Sequence, residues 1–406
     1  MALNTDKIRE NFPILNSSKP PVYFDSACMT LRPQQVIDKI SEYYIKYPGC
    51  AGRSIHSIAR KVTENYNGAR LNIQKFFNAP TSEEVIFTRN TTEAINIVSC
   101  GLGLKKGDVV LTTDREHNSN LMPWIMLSER EGVNHKVVES KRDNTFDLER
   151  FEDMITRDVK LVSMVHTSNL DGYTIPAEKI IKIAHDYGAL VMLDGAQSAP
   201  HTKVDLKKLD VDFFACSGHK MLGPSGIGML YGKKDLLLRL NPYNVGGDMV
   251  IDTTYSDYKL SGLPERFEAG LQDYAGAIGF SAACDYIKGV GIENVSRHEQ
   301  SLNKLMTEGV KDIPGLEIIG PADASSRGGI LSFSVEGISP HDIVMLLDQS
   351  SSIMMRSGAH CVHSWFNAHN LPNGSARASV YIYNTKDEVK VFVDALGKVV
   401  DFFRKS

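Results

Sequence analysis

Cysteine is scarce and badly spaced for bridging. The 406-residue chain has six, at positions 28, 50, 100, 216, 284 and 361, and none forms a CxxC pair. That excludes a zinc ribbon and a disulfide framework and reads as reduced thiols. Excess charge is lacking too: 45 Lys plus Arg stand against 49 Asp plus Glu, a formal −4. No bulk electrostatic pull toward nucleic acid or a membrane surface follows. No run approaches the ~20 apolar residues of a membrane span. The opening seven residues carry neither a basic n-region nor an apolar h-region, so a cytoplasmic protein is expected. Internal repeats and low-complexity tracts are missing, and the frequent Gly-Pro punctuation excludes a solenoid or coiled coil. What is present is 42% hydrophobic and 23% charged residues, the balance of a globular chain with large cores. At ~150 residues per domain, two or three domains fit.

The pattern alternates. Short apolar runs at 85–87, 109–111, 161–165, 190–193 and 213–215 read as buried strands. Helical stretches at 91–101, about 178–187 and 57–77 separate most of them, which predicts a mainly parallel sheet covered on both faces. The character changes near 287–294, where Gly289 and Gly291 lead into a long polar helix at about 296–311. A smaller domain is predicted from 291 to 406, with strands at 329–335 and 377–383 and a closing helix at 386–404. The larger domain is then 22–290, and residues 1–21 are expected to pack on the smaller one.

Ligands of open α/β sheets gather beyond the carboxyl ends of strands, so polar residues after apolar runs are the first candidates. Asp194 ends one such run; it suits a protonated ring nitrogen, or a cap on the next helix. Lys220, in Ser217-Gly-His219-Lys220, follows another. A partly desolvated lysine there can form a Schiff base, whereas the plain alternative is a snorkelling surface lysine. Thr91 and Thr92 open a helix after the strand at 85–87, as a phosphate site or as an ordinary cap would. Taken together, a carboxylate, an amine and an anion cradle describe a phosphorylated pyridine aldehyde, and pyridoxal phosphate fits that description.

The set His219-Lys220, Asp194-x-x-Gln197, Thr91-Thr92-Glu93 and Glu116-His117-Asn-Ser-Asn120 with Pro123-Trp124 resembles the class V aminotransferase group of fold-type I enzymes. Within it the pattern is most similar to the Suf-type (group II) cysteine desulfurases and selenocysteine lyases, over nearly the whole length. The resemblance implies an α/β fold: a large domain with a mainly parallel seven-stranded sheet plus a smaller α+β C-terminal domain, in a homodimer. It implies that Lys220 holds pyridoxal phosphate as an imine and moves the substrate Cα proton, and that Asp194 keeps the pyridine nitrogen protonated. His117 would stack on the ring, Gln197 and Asn169 would contact the ring hydroxyl, and Thr91, Thr92, Ser217 and His219 would cradle the phosphate. Each residue type suits its partner.

The second signature is Arg356-Ser-Gly-Ala359-His360-Cys361-Val-His363. The resemblance makes Cys361 the thiol that takes sulfur from L-cysteine as a persulfide, leaving alanine, with Arg356 or His360 as cationic help. Without the resemblance, Cys361 reads as a buried inert thiol, the usual fate of a free cysteine; a rival reading takes His360, Cys361 and His363 as metal ligands, but no fourth ligand stands at standard spacing and no metal is expected. Arg377 matches the arginine that grips the substrate carboxylate, a bidentate partner for that group. The stretch 246–262 implies a protruding hairpin and a sulfur-acceptor protein serving iron-sulfur cluster or other sulfur metabolism. L-Selenocysteine is the alternative substrate, and an epimerase, β-lyase or aminotransferase that does not use Cys361 is the alternative enzyme. The pattern departs from the family in three places: Tyr274 stands where a threonine is usual, Ala359 replaces a histidine, and Cys28 replaces a small residue. Cys28 reads either as a packed thiol or as a second redox-active sulfur.

Overall fold

The protein is described by a computed structural model over residues 3–405. Seven strands make the central sheet in the spatial order Val85–Thr88, Gly228–Gly232, Phe213–Ser217, Leu190–Asp194, Val159–Val165, Val109–Thr113, Asn134–Val138. Only Gly228–Gly232 runs against its neighbours. Helices cover both faces, and this is why the strands read as unbroken apolar runs rather than as alternation. Along Phe213–Ser217, for instance, Phe213 and Ala215 enter the core beneath the helix Thr91–Gly101. Phe214 and Cys216 enter the opposite core, under Ser57–Phe76 and Tyr274–Val290.

Two strands escaped the reading of apolar runs. Asn134–Val138 is a sheet edge with Asn134 and Lys136 exposed, so only its far end is buried. Gly228–Gly232 begins and ends on glycine because its neighbours press close. A Cβ on Gly228 would stand 2.5 Å from the Cys216 carbonyl oxygen.

The helix Tyr274–Val290 stops at Gly291, whose left-handed φ of +86° breaks the axis before Ile292–Val310 starts. Beyond it, four strands pair antiparallel in the order Leu316–Ile319, Ile330–Val335, Ser375–Ser379, Arg356–Gly358. The helices Ile292–Val310, Pro340–Ser351 and Lys386–Lys405 cover this sheet and share one apolar core with it.

Two expectations need correcting. The strand anticipated over 377–383 ends at Ser379, because Asn384 closes a turn on Tyr381: its Oδ1 accepts from Tyr381 N at 2.7 Å and its own N–H donates to Tyr381 O at 3.1 Å. Tyr381 and Tyr383 are thereby turned into the large core, where their hydroxyls meet Pro200 O and Ser26 Oγ. The N-terminal segment does not belong to the smaller unit alone. Its Ile8, Phe12 and Leu15 join the large core, while Arg9 pairs with Glu388 of the closing helix at 2.7 Å. It seams the two units together.

Candidate active site

The carboxyl ends of the parallel strands, together with Ser375–Ser379 and the edge strand Arg356–Gly358 of the smaller sheet, enclose a cavity of about 240 Å³. All of the sequence candidates line it: Thr91, Thr92, His117, Asn169, Asp194, Gln197, Ser217, His219, Lys220, Arg356, Cys361 and Arg377. The lining also includes Asn90, Ser119 and Thr167, which the sequence reading passed over although two of them adjoin quoted motifs.

Strand Phe213–Ser217 delivers Ser217 at its last position, and the single turn Gly218–Lys220 presents the lysine. Lys220 Nζ makes no hydrogen bond or ion pair among the described residues, and what surface it keeps is cavity wall. Loss of water lowers its pKa below the ordinary 10.5; nearby Arg377 pushes the same way, and Asp194 opposes. Asp194 ends the adjacent strand and is 3% exposed. One of its oxygens accepts from Ala196 N at 2.9 Å, and the other has no donor among the described residues. Burial raises its pKa, against the pull of Ala196 N–H and Lys220. A buried carboxylate with a free oxygen calls for a cationic or protonated partner.

The helix Thr91–Gly101 points its N-terminus at the cavity, capped by Asn90, whose side chain accepts from Glu93 N. Around that end stand four hydroxyls in two pairs, Thr91 with Ser217 at 2.6 Å and Thr92 with Ser119 at 2.7 Å. Free N–H groups, the positive end of the helix dipole and rotatable hydroxyls together make an anion cradle. His117 caps the helix Asn118–Glu131, its Nδ1 accepting from Ser119 N at 3.1 Å, so the ring is held in place with the remaining proton on Nε2. The preceding Glu116 anchors that turn by accepting from Thr113 N and Oγ1, Val165 N and Asn120 Nδ2.

On the smaller unit, Arg356 and Arg377 are direct cross-strand partners. Like charges in that register repel, so an anion between them is favoured. Asp25 offsets part of the charge, accepting from Arg377 Nη2 at 3.3 Å, while Nη1 donates to Asn169 O at 2.9 Å. Arg377 Nε has no partner among the described residues although the side chain is 2% exposed.

Cys361 follows on a tight turn in which His360 and Cys361 both take left-handed φ, +48° and +61°. For residues with a Cβ this is strained, and the surroundings hold it. Asn169 Nδ2 donates to His360 O at 2.8 Å, Asn118 N to Cys361 O at 2.7 Å, and Val362 N to Ala359 O at 2.7 Å. The helix His363–Ala368 then drives Val362, Trp365 and Phe366 into a small core with Leu170.

Three sequence readings change here. His360 supplies no cationic help to Cys361: burial, then Arg377 and Arg356, lower its pKa to about 2. Arg356 is engaged elsewhere, donating from Nη1 to Cys28 Sγ at 2.7 Å. The metal reading of His360, Cys361 and His363 fails, since no group among the described residues could hold an ion, and His360 Nε2 and His363 Nδ1 pair with Ser375 and Asn118. Tyr274, in the place of a threonine, directs its hydroxyl to Cys50 Sγ of its own chain at 3.7 Å.

The profile of the family "Aminotransferase class-V" matches residues 22–392. The chain belongs to the class-V aminotransferase family. A probable cysteine desulfurase of Halalkalibacterium halodurans is 37% identical over 99% of both chains. A cysteine desulfurase of Haloferax volcanii is 36% identical over 99% of this chain and 98% of its own. Among solved structures, the apo cysteine desulfurase of Thermococcus onnurineus superposes with a TM-score of 0.94 at 36% identity, covering 99% of each chain. The Escherichia coli cysteine desulfurase CsdA, in an S-sulfonic acid form, gives 0.91 at 32% identity, covering 99% of this chain and all of the other.

The cofactor of this class-V enzyme is pyridoxal phosphate, and the residues present fit it. Gln197 Oε1 and Asn169 Oδ1 are buried acceptors without partners among the described residues, in a cavity where a bound polar group could supply a donor. Each uses its amide nitrogen elsewhere, on Ala27 O and His360 O.

Burial at and beside the site disfavours charged imidazole. Burial lowers His117 to about 3, His166 to about 4 and His219 to about 4; for His117 and His219 the neighbouring Lys220 adds to the effect. Above those values each imidazole carries no charge, so none of them changes state between pH 5 and 8. In spectra of histidine-labelled protein, the resonances of 117, 166, 219 and 360 are expected to stay fixed over that range. His185 is the contrasting case, its hydrogen bond to Asp212 at 2.8 Å favouring the charged imidazole and raising it above 6.5. Movement of the His360 signal with a midpoint near 6.5 would contradict the buried, neutral assignment.

Proposed function

We propose that the protein is a pyridoxal-phosphate-dependent cysteine desulfurase that converts L-cysteine to L-alanine and keeps the sulfur as a persulfide on Cys361. One observation carries the reading: a thiol on a strained, anchored turn shares one cavity with a desolvated lysine and a facing pair of arginines. Thr91, Thr92, Ser217 and His219 would hold the cofactor phosphate, Asp194 its ring nitrogen, Asn169 and Gln197 its hydroxyl, with His117 over the ring. When bound, the cofactor supplies an electron sink for the carbanion at the substrate Cα.

The chain's own residues do the rest. Arg377 offers its unpartnered Nε, with Arg356 beside it, to the substrate carboxylate. Burial and Arg377 lower the pKa of Lys220, which favours the neutral amine that would accept the Cα proton at Nζ. Cys361 attacks the substrate sulfur, so a new S–S bond forms at Sγ as the Cβ–S bond breaks, and the three-carbon remainder leaves as alanine. His360 and Asn118 fix the turn through their backbone contacts rather than as acids or bases. The persulfide is then passed to an acceptor protein for iron-sulfur cluster or related sulfur metabolism, by a homodimer in the cytoplasm.

The test is product stoichiometry. Purified protein loaded with cofactor and given L-cysteine and a thiol reductant is expected to release alanine and sulfide in equal amounts. Pyruvate and ammonia in place of alanine would make it a β-lyase and overturn the reading.

A further inference from the structure

We propose that Cys28 is a second sulfur-carrying site, which receives the persulfide sulfur from Cys361 inside the same cavity; this rests on the desulfurase reading above. The two thiols come from distant parts of the chain, yet both line the one cavity of about 240 Å³ and both are partly accessible. Both also act electrostatically on the same amine, Lys220, which places both sulfurs near the reacting end of the site. Neither is bonded to another cysteine.

Cys28 is held for chemistry rather than for packing. Its sulfur is in none of the apolar clusters and instead takes a hydrogen bond from Arg356 Nη1 at 2.7 Å. A guanidinium N–H at that distance fixes where the sulfur stands in the cavity. Arg356 begins the strand Arg356–Gly358 that leads straight into the Cys361 turn, so one short segment positions the cation on Cys28 and the donor of the sulfur. The same pocket contains a buried ring nitrogen without a partner among the described residues, His360 Nδ1, in a side chain 4% exposed. That nitrogen belongs to the residue before Cys361, and that residue lines the same cavity.

The step balances without an outside reagent. The Cys28 thiolate attacks the outer sulfur of the Cys361 persulfide; an S–S bond forms at Cys28 as the one at Cys361 breaks. Cys361 leaves as a thiolate and takes up the proton that Cys28 lost. The transferred sulfur keeps its oxidation state, so nothing is oxidised or reduced. Cys361 is thereby freed for a second turnover before any acceptor arrives, and each subunit stores two sulfur atoms.

The experiment loads the cofactor-bound protein with L-cysteine anaerobically, without reductant or acceptor. Sulfane sulfur is then counted by cyanolysis, and the modified cysteines are mapped by mass spectrometry of alkylated peptides. Two sulfane sulfurs per subunit are expected in the wild type, on Cys28 and Cys361. One is expected in Cys28→Ser, on Cys361 alone, and none on Cys28 in Cys361→Ala. Cys28→Ala serves if the serine variant does not fold.

A single sulfur confined to Cys361 in a wild type that produces alanine would overturn the relay and leave the desulfurase reading standing. A Cys28–Cys361 disulfide with hydrosulfide released would overturn it too, since the attack would then fall on the inner sulfur. No alanine from the wild type at all would overturn the desulfurase reading on which the relay rests.

Discussion

Cys361→Ala is expected to lower alanine formation from L-cysteine by roughly 10³-fold or more, because it removes the proposed nucleophile. Binding of the cofactor and of a substrate-like amino acid should be unchanged, since the phosphate cradle, Asp194 and Arg377 lie on other segments. The decisive control is Cys361→Gly. At φ +61° a residue with a Cβ is strained by roughly 1–3 kcal/mol, and glycine has no such penalty, although its freer unfolded chain cancels part of the gain. The glycine variant should therefore be inactive yet match or exceed Cys361→Ala in thermal stability. If Cys361 were a packing residue the order would reverse: glycine would lose the most stability and alanine would keep activity. Tm and initial rate measured on the three proteins separate the two cases.

That argument depends on backbone geometry, which shows where a sequence reading stops. The strands at 85–88, 159–165, 190–194 and 213–217 were legible because a sheet buried on both faces leaves continuous apolar runs. So were the residues at their ends, because Asp194 and Ser217 are the last positions of their strands and Lys220 lies one turn further on. Each was ambiguous alone, a cap or a surface lysine. Convergence on one cavity is a three-dimensional fact that only the resemblance to a family could anticipate.

What stayed hidden was charge state and pairing. His360 looked like a cation beside a thiol, but its burial between Arg356 and Arg377 makes it neutral. Arg356 looked like help for Cys361, five residues away, yet its hydrogen bond crosses 328 positions to Cys28. The turn at 381–384 was hidden for a similar reason. Val380 to Tyr383 have strand-forming side chains, and the Asn384 amide overrides that propensity.

Lys220→Ala carries the other large effect. The amine is basic, desolvated and without a partner among the described residues, and burial together with Arg377 holds its pKa below 10.5 while Asp194 limits the fall. On the proposed function, removing it takes away both the proton carrier at the substrate Cα and the covalent hold on the cofactor. Alanine formation is expected to fall by at least about 10³-fold, within the 10²–10⁴ range of a lost general base and beyond it if the covalent hold contributes.

Borohydride treatment of the wild type should leave a phosphopyridoxyl mass on the peptide bearing Lys220, and none on Lys220→Ala. Substituting Arg for Lys220 discriminates further. It restores the positive charge near Asp194, but a guanidinium is not deprotonated in a protein and cannot take the Cα proton. If charge balance were all that Lys220 provides, arginine would recover activity. If proton transfer at Nζ is the requirement, arginine will be as inactive as alanine while Asp194 keeps a cationic neighbour, and the two variants will differ in stability but not in rate.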